Sequence, residues 1–435
     1  VDSNLMEIRR IASNSGEEFV TSTVLQNELR NASVQAELQS ALRQCDRNPH
    51  DLASYRLLRS FVASMKEKQR ASAPSRMALA SFCSELAGAT YLPGVIELPG
   101  QYDSLERRAV SVSDHLHVHS MHHSVTVLPS LQLPKRIGLF DSTGHLWHFL
   151  AKSGEDLRQD ASIERFFAMA NFLLRGKGVA SLEDMMIKVY AVIPYSSSFG
   201  LIEWVPNTVS FQNLIDKELK CRNLSACPSM EFLRRKGHSL LGIKSATGYV
   251  DVLMNSWATK KPETSELVAT LTKLREMLPR SLFRGVLLQL SVVPSQFNAI
   301  RSLFLKSYAA NAMAAFVLGV GDRHLENLLL DSKTGRVVAI DFGYAFGFAT
   351  EALRPPELVP IRHTLAITSA ATPLNGRLLL ADLYTEYLSV LRQNKGLLLG
   401  FVALLAYEPL SGWDTRVTNS YVFNHDREGS AKFRA

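Results

Sequence analysis

Gly319-Val-Gly-Asp-Arg-His-Leu-Glu-Asn327, followed by Val337-Val-Ala-Ile-Asp-Phe-Gly343, decides how this chain is read. The first stretch is an acid-bearing loop that ends in an amide. The second is a short apolar strand that ends in a carboxylate. Phosphoryl transfer from a metal-bound nucleotide needs that set. Asp322 can orient and deprotonate an attacking hydroxyl, while Asn327 and Asp341 offer the hard oxygen donors that Mg2+ takes. Each residue alone has a bland reading: Gly-Asp steps are common in turns, a His such as His324 can satisfy a carbonyl, and Asp341 can simply end a strand. Together, an Asp, an Asn five residues on and an Asp-Phe-Gly fourteen beyond form an arrangement that coincidence does not readily supply.

Outward from this stretch, the chain changes character in order. Residues 2–89 are rich in Leu, Ala, Glu, Gln and Arg, with Leu25, Leu29, Leu38 and Leu42 at helical steps, and are expected to be helical. Paired Pro-Gly steps between Tyr91 and Gln101 mark a boundary. Strand signals follow, with Arg136–Phe140 and His145–Lys152 flanking the turn Asp141-Ser-Thr-Gly144. Glu155–Arg175 reads as a helix whose apolar face carries Ile163, Phe166, Phe167, Ala170, Leu173 and Leu174. Ile187–Ile193 and Phe199–Val205 read as strands, and from Pro206 to Leu405 the pattern is mostly helical.

Composition bounds the rest. A chain of 435 residues, 46% hydrophobic and 20% charged, has room for two or three cored domains. The net charge of +7 suits an acidic ligand such as ATP, but no concentrated basic block points to nucleic acid. Apolar runs near Ala309–Gly321 and Leu397–Tyr407 are too short to span a bilayer and are expected to be core helices, so no membrane role is expected. Four cysteines without a Cys-x-x-Cys pair favour reduced thiols, in the cytosol or nucleus. The first residue is Val and no secretory leader is visible, which reads as a fragment.

Lys152 ends an apolar strand just before the acidic start of the next helix, where it could reach phosphate oxygens with Glu155 or Asp160 as its partner. A snorkelling strand-end lysine beside a solvated helix start is the alternative. Ser130 lies where a phosphate-cradling turn would fall, although no Gly-x-Gly-x-x-Gly is present and a plain turn serves equally. His115-Leu-His-Val-His-Ser-Met-His-His123 invites a metal reading, but no Cys or carboxylate completes a set, and an exposed loop or edge strand is expected.

Protein kinases also keep the catalytic Asp and the metal-binding Asn five residues apart, within His-Arg-Asp-x-x-x-x-Asn. Here the order is Asp322-Arg-His324. That inversion, with Lys152-Ser-Gly-Glu-Asp-Leu-Arg-Gln-Asp160, Gly200-Leu-Ile-Glu-Trp-Val205 and Ile340-Asp-Phe-Gly343, resembles the phosphatidylinositol 3-kinase-related protein kinases from about Tyr91 to Trp413. The resemblance implies an α+β, bilobal protein-kinase-like fold preceded by an all-α segment. Residues 1–89 would end a FAT-like solenoid, 90–203 form the β-rich small lobe, and 204–435 the connection and the α-rich large lobe. Nothing after Trp413 resembles the FATC segment with which such chains end.

By the same resemblance Asp322 is the catalytic Asp, and His324 stabilises the transferring phosphoryl group. Asn327 and Asp341 are the metal ligands. Lys152 binds phosphate with Glu155 and Asp160 near it and Ser130 in the phosphate loop, and Trp204 and Val205 contact adenine. The implied function is a serine/threonine protein kinase using ATP and Mg2+ (or Mn2+), acting on Ser/Thr-Gln in proteins during DNA double-strand-break repair in the nucleus. DNA would act indirectly, with a DNA-end-loading partner protein, through parts absent from this chain. A phosphoinositide kinase is the alternative, but between Asp341 and Thr364 only Arg354 and Arg362 could serve a phosphorylated headgroup. An inactive truncated scaffold is the other; it would be expected to have lost Lys152, Asp322, Asn327 or Asp341, and all are present.

Overall fold

In the computed structural model, residues 32–47, 75–81, 83–101, 114–130, 133–178, 180–222, 272, 279–353, 357 and 361–406 are described. The chain forms two compact units, one of Val1–Leu98 and His115–Gly154, the other of Pro99–Asp114 and Glu155–Ala435. The expected helical positions Leu25 and Leu29, the cation Arg354 and the stretch after Trp413 lie outside the described residues.

The first unit contains α1 (Ala32–Arg47), β1 (Arg76–Ala78), α2 (Ser84–Gly88), β2 (Val118–Met121), β3 (Ser124–Val127), β4 (Lys135–Asp141) and β5 (Leu146–Ser153). Its strands are antiparallel in the order β1-β3-β4-β5, and β2 pairs with the far half of β4. Arg76–Ala78 had been expected to be helical. Pairing of Met77 with Val125 makes it an edge strand instead, a non-local contact that helical spacing cannot reveal.

The β4–β5 hairpin follows the sequence closely, with Phe140 opposite Leu146 and Lys135 opposite Ala151. Its turn is organised by one buried carboxylate. Asp141 accepts the N–H of Thr143 at 2.8 Å, the Thr143 hydroxyl at 2.6 Å, the His145 N–H at 3.0 Å and the Trp147 indole at 2.9 Å, while Gly144 takes a φ of 85°. Burial alone would raise the Asp141 pKa; these hydrogen bonds to the charged form outweigh it and hold the group down to about 2. A folded-state pKa below the ordinary value of 3.8 means stability that is present above that value and is lost as pH falls toward 2. Asp141→Asn is therefore expected to destabilise the protein by about 2 kcal/mol at neutral pH. Urea titrations should show the gap between variant and parent closing below pH 4; a gap independent of pH would remove the ionised carboxylate as its cause.

Three of the five imidazoles of the His-rich stretch lie on or beside β2. His115 Nδ1 stands 3.0 Å from Glu97 Oε1, and the His122 and His123 rings are 4.3 Å apart. Among the described residues no group of three or more His, Cys, Asp or Glu is arranged to hold a metal ion, and no helix is long and apolar enough to cross a membrane.

The second unit begins with α3 (Arg158–Arg175) and α4 (Ala180–Glu183), then β6 (Val192–Ser196), β7 (Phe199–Glu203), β8 (Thr208–Ser210) and α5 (Phe211–Cys221). After these come α6 (Leu282–Gln289), α7 (Pro294–Val317), β9 (Leu328–Asp331), β10 (Val337–Ala339), α8 (Phe348–Ala352), α9 (Leu365–Ser369), α10 (Gly376–Gln393) and α11 (Lys395–Ala406). All six apolar positions expected on one face of α3 are buried.

Ile187–Tyr190 is not the strand that its apolar pattern suggests, and β6 starts only at Val192. The reason lies in α3. Asn171 takes both the N–H and the carbonyl of Ile187 at 2.8 Å, and Glu164 Oε2 accepts the Tyr190 N–H at 3.2 Å. Backbone groups already bonded to side chains have none left for a strand partner.

The core centres on α7, whose run Ala309–Ala315 is buried throughout. Alanines let neighbours approach on every side, so this helix lacks the polar stripe of a surface helix. Phe211, Phe283 and Phe304 stack into its N-terminal half with centroids 4.7 Å and 5.5 Å apart. Two polar residues of α7 then fix β10. Ser307 Oγ accepts the Val337 N–H at 2.9 Å, and Asn311 Nδ2 donates to Val337 O at 3.3 Å. Thus α7 positions the strand that leads to Asp341.

Candidate active site

The loop from Gly319 to Asn327 runs from the end of α7 to β9. Its entry is a close backbone crossing: Gly319 has φ 59°, and a Cβ there would lie 2.6 Å from Gly347 N. Gly321 N donates to Tyr344 O at 2.7 Å, and Gly347 N to Gly319 O at 3.0 Å. The loop and the segment after Asp-Phe-Gly are thereby laid side by side. Two glycines permit an approach that side chains would block.

Asp322 and Asp341 both take a left-handed backbone, with φ of 58° and 60°. For non-glycine residues such a conformation persists only where the surroundings over-determine it. The Asp322 carbonyl accepts the His324 N–H at 2.9 Å and Asn327 Nδ2 at 3.1 Å, which closes the loop on itself. Burial raises the Asp322 pKa; His324 and Arg323 oppose the rise and Asp341 adds to it. His324 Nε2 stands 3.9 Å from Asp322 Oδ2. Its Nδ1 accepts the Glu326 N–H at 3.2 Å, so the neutral ring carries its proton on Nε2, the nitrogen beside Asp322.

Asn327 and Asp341 are linked through the backbone, since Ile340 N donates to Asn327 O at 3.1 Å. The Asp341 side chain is exposed, and Gly343 N–H approaches its Oδ1 at 3.4 Å. With Nδ2 of Asn327 committed to Asp322 O, its Oδ1 is the oxygen left to face a cation. A carboxylate and an amide oxygen, both hard donors, fit a divalent metal that keeps several waters.

Arg323 joins the two halves of this arrangement, and nothing in the sequence marked it. It is 6% exposed, and its guanidinium donates to Gly321 O at 2.8 Å, to Ile340 O at 3.0 Å and to Asp341 O. It also lies over the Phe342 ring, 5.5 Å from the centroid. From the other side α3 clamps one residue: Gln159 Nε2 donates to Phe342 O at 2.6 Å, and Asp160 Oδ1 accepts the Phe342 N–H at 3.0 Å. Tyr190 adds its hydroxyl to Ala339 O at 3.2 Å. The one available signal for Gln159 was its adjacency to Asp160.

The structure thus brings together Asp322, His324, Asn327, Asp341 and, through Phe342, Asp160. Glu155 precedes α3 in the same unit and is half-buried. Trp204 and Val205 form the half-buried connection between β7 and β8, where Val205 O accepts the Thr208 hydroxyl at 2.8 Å. Lys152 and Ser130 belong to the first unit. Lys152 is half-buried near the end of β5, and Ser130 is exposed in the β3–β4 turn, which closes on itself through Leu133 N to Ser130 O at 3.2 Å.

Residues 147–415 match the phosphatidylinositol 3- and 4-kinase family. The chain is 34% identical over 331 residues to the DNA-dependent protein kinase catalytic subunit of Mus musculus, covering 75% of this chain and 8% of that protein. It is 29% identical over 294 residues to the serine/threonine-protein kinase ATM of Arabidopsis thaliana, covering 67% of this chain and 7% of that one. The chain therefore spans under a tenth of the length of these relatives. Among solved structures, the FAT and kinase domain of CtTel1 aligns with a TM-score of 0.62 at 22% identity, over 89% of this chain and 25% of that one. The fold is that of the kinases, α+β and bilobal, as the motifs imply.

Proposed function

This chain belongs to the phosphatidylinositol 3- and 4-kinase family, and from that premise we propose that it is an ATP-dependent serine/threonine protein kinase of the DNA-damage-response type. The acceptor is a Ser or Thr followed by Gln. The observation that carries this reading is the linked geometry of Asp322, His324, Asn327 and Asp341 around one guanidinium. In it Asp322 takes the proton of the acceptor hydroxyl, and His324 presents Nε2–H to the transferring phosphoryl group. Asn327 and Asp341 would hold Mg2+ (or Mn2+), which when bound neutralises charge on the nucleotide phosphates. Lys152, with Glu155, Asp160 and Ser130, serves the phosphates. Trp204 and Val205 serve the adenine.

A protein acceptor is favoured over a phosphoinositide because Asp341–Thr364 carries only two arginines, and one of them, Arg362, is half-buried. Its Nη1 reaches Arg323 O at 3.5 Å, and its carbonyl accepts the Tyr308 hydroxyl. A phosphorylated headgroup calls for several accessible cations. Likeness to the DNA-dependent protein kinase catalytic subunit and to ATM supports a nuclear role in double-strand-break repair. A DNA-end-loading partner and DNA would act through upstream parts.

The test is Mg-ATP phosphate transfer to a Ser-Gln peptide and to phosphoinositide vesicles, with Asp341→Ala as control. Transfer to the peptide alone, abolished in the variant, is the expected result. Transfer to vesicles alone would replace this reading with the lipid kinase. ATP binding without transfer to either would replace it with the scaffold.

A further inference from the structure

The left-handed backbone of Asp322 is held from outside its own loop. Its N–H donates to Glu357 Oε2 at 2.5 Å, across 35 residues of chain. Glu357 is itself fastened to the start of the segment that leads to it: its N–H approaches Ala349 O at 3.5 Å, and its carbonyl accepts the Thr350 hydroxyl at 2.9 Å. A second observation concerns the space the carboxylate occupies. It lies over Gly321, where a Cβ would stand 2.7 Å from Glu357 Oε2 and 2.3 Å from Ala349 Cβ. Glycine at 321 is what lets the carboxylate reach the Asp322 N–H. From the same segment Arg362 Nη1 approaches the next carbonyl, Arg323 O, at 3.5 Å.

We infer that Glu357 is a positioning residue for phosphoryl transfer: its carboxylate holds the Asp322 N–H and thereby fixes the strained backbone that directs the Asp322 side chain. This rests on the transfer reaction proposed above. A charged acceptor binds a backbone N–H more strongly than a neutral one, which suits it to holding a conformation the chain would otherwise leave. The segment after Asp-Phe-Gly is thus coupled to the base itself: when Glu357 is out of place, Asp322 is free to relax.

The experiment uses the whole chain, Mg-ATP and a Ser-Gln peptide. Glu357→Ala is expected to lower kcat about a hundredfold, the scale of a misplacement of ~1 Å, with KM for ATP and for peptide little changed. Glu357→Gln, whose amide oxygen can accept the same N–H, should recover most of the loss. Gly321→Ala, whose Cβ would meet both the Ala349 methyl and the carboxylate, should reproduce the loss, and it carries the same expectation if Glu357→Ala does not fold. Hydrogen exchange at the Asp322 amide gives a readout independent of turnover, faster in Glu357→Ala and slower again in Glu357→Gln. An unchanged kcat in both Glu357→Ala and Gly321→Ala overturns the inference. So does a rise in peptide KM alone that Gln fails to correct, which would make Glu357 a substrate contact. Should the parent chain bind Mg-ATP but transfer nothing, the proposed function falls, and amide exchange alone decides whether Glu357 holds Asp322.

Discussion

Asp322→Asn is expected to lower kcat for transfer to a Ser-Gln peptide by about a thousandfold, the middle of the range for loss of a general base. Mg-ATP affinity should stay close to that of the parent chain. Asparagine keeps the volume and shape of the side chain while removing its ability to take a proton and its charge beside His324. The contacts that hold residue 322 in place run through its backbone: its N–H to Glu357, and its carbonyl to His324 N and Asn327 Nδ2. None of them depends on the carboxylate, so the loop should keep its form. Single-turnover rates with the peptide, beside calorimetric titration with Mg-ATP, separate the two effects. A variant with parental kcat would end the assignment of Asp322 as the base. A large loss of nucleotide affinity would move it into the set that holds the metal.

Replacing Arg323 with Leu is expected to cost about 3–5 kcal/mol of stability together with most of the activity. The guanidinium donates to carbonyls on both sides of the site, Gly321 O on one and Ile340 O and Asp341 O on the other, and it packs on Phe342. An aliphatic side chain fills some of that volume but takes the guanidinium donors away from these carbonyls. It also unties Asp341 from the loop that carries Asp322. Arg323→Lys is the sharper variant. A lysine keeps the charge, but its single ammonium cannot span carbonyls that a planar fork reaches from separate nitrogens, so an intermediate loss is expected in both stability and kcat. Urea unfolding and peptide kinetics measure the two losses. Parental behaviour in the lysine variant would show that charge, rather than the fork, holds the site together.

What was legible in the sequence shares a property: its determinants sit close together along the chain. The turn at Asp141–Gly144 is set by a carboxylate and donors within six residues of it. The buried face of α3 follows from helical spacing, and the Gly319–Asn327 loop and the Asp-Phe-Gly step are recognisable because their residue types and intervals are local. The misread strand at Ile187 shows the limit. Its apolar pattern is real, but Asn171 and Glu164, presented by a helix, claim its backbone groups first. Periodicity reports which face is apolar. It is silent on which partner reaches the backbone.

By residue type and interval alone, the sequence carried two carboxylates, an amide and an imidazole, spaced as phosphoryl transfer would use them. Tertiary structure alone decided how those groups are held. Gln159 and Asp160 grip Phe342 from more than 180 residues away, and Glu357 reaches Asp322 across 35. Arg323 draws carbonyls from two separate stretches onto one guanidinium. Such contacts form because buried backbone groups must find partners wherever the fold brings them, and a linear pattern carries no record of that search.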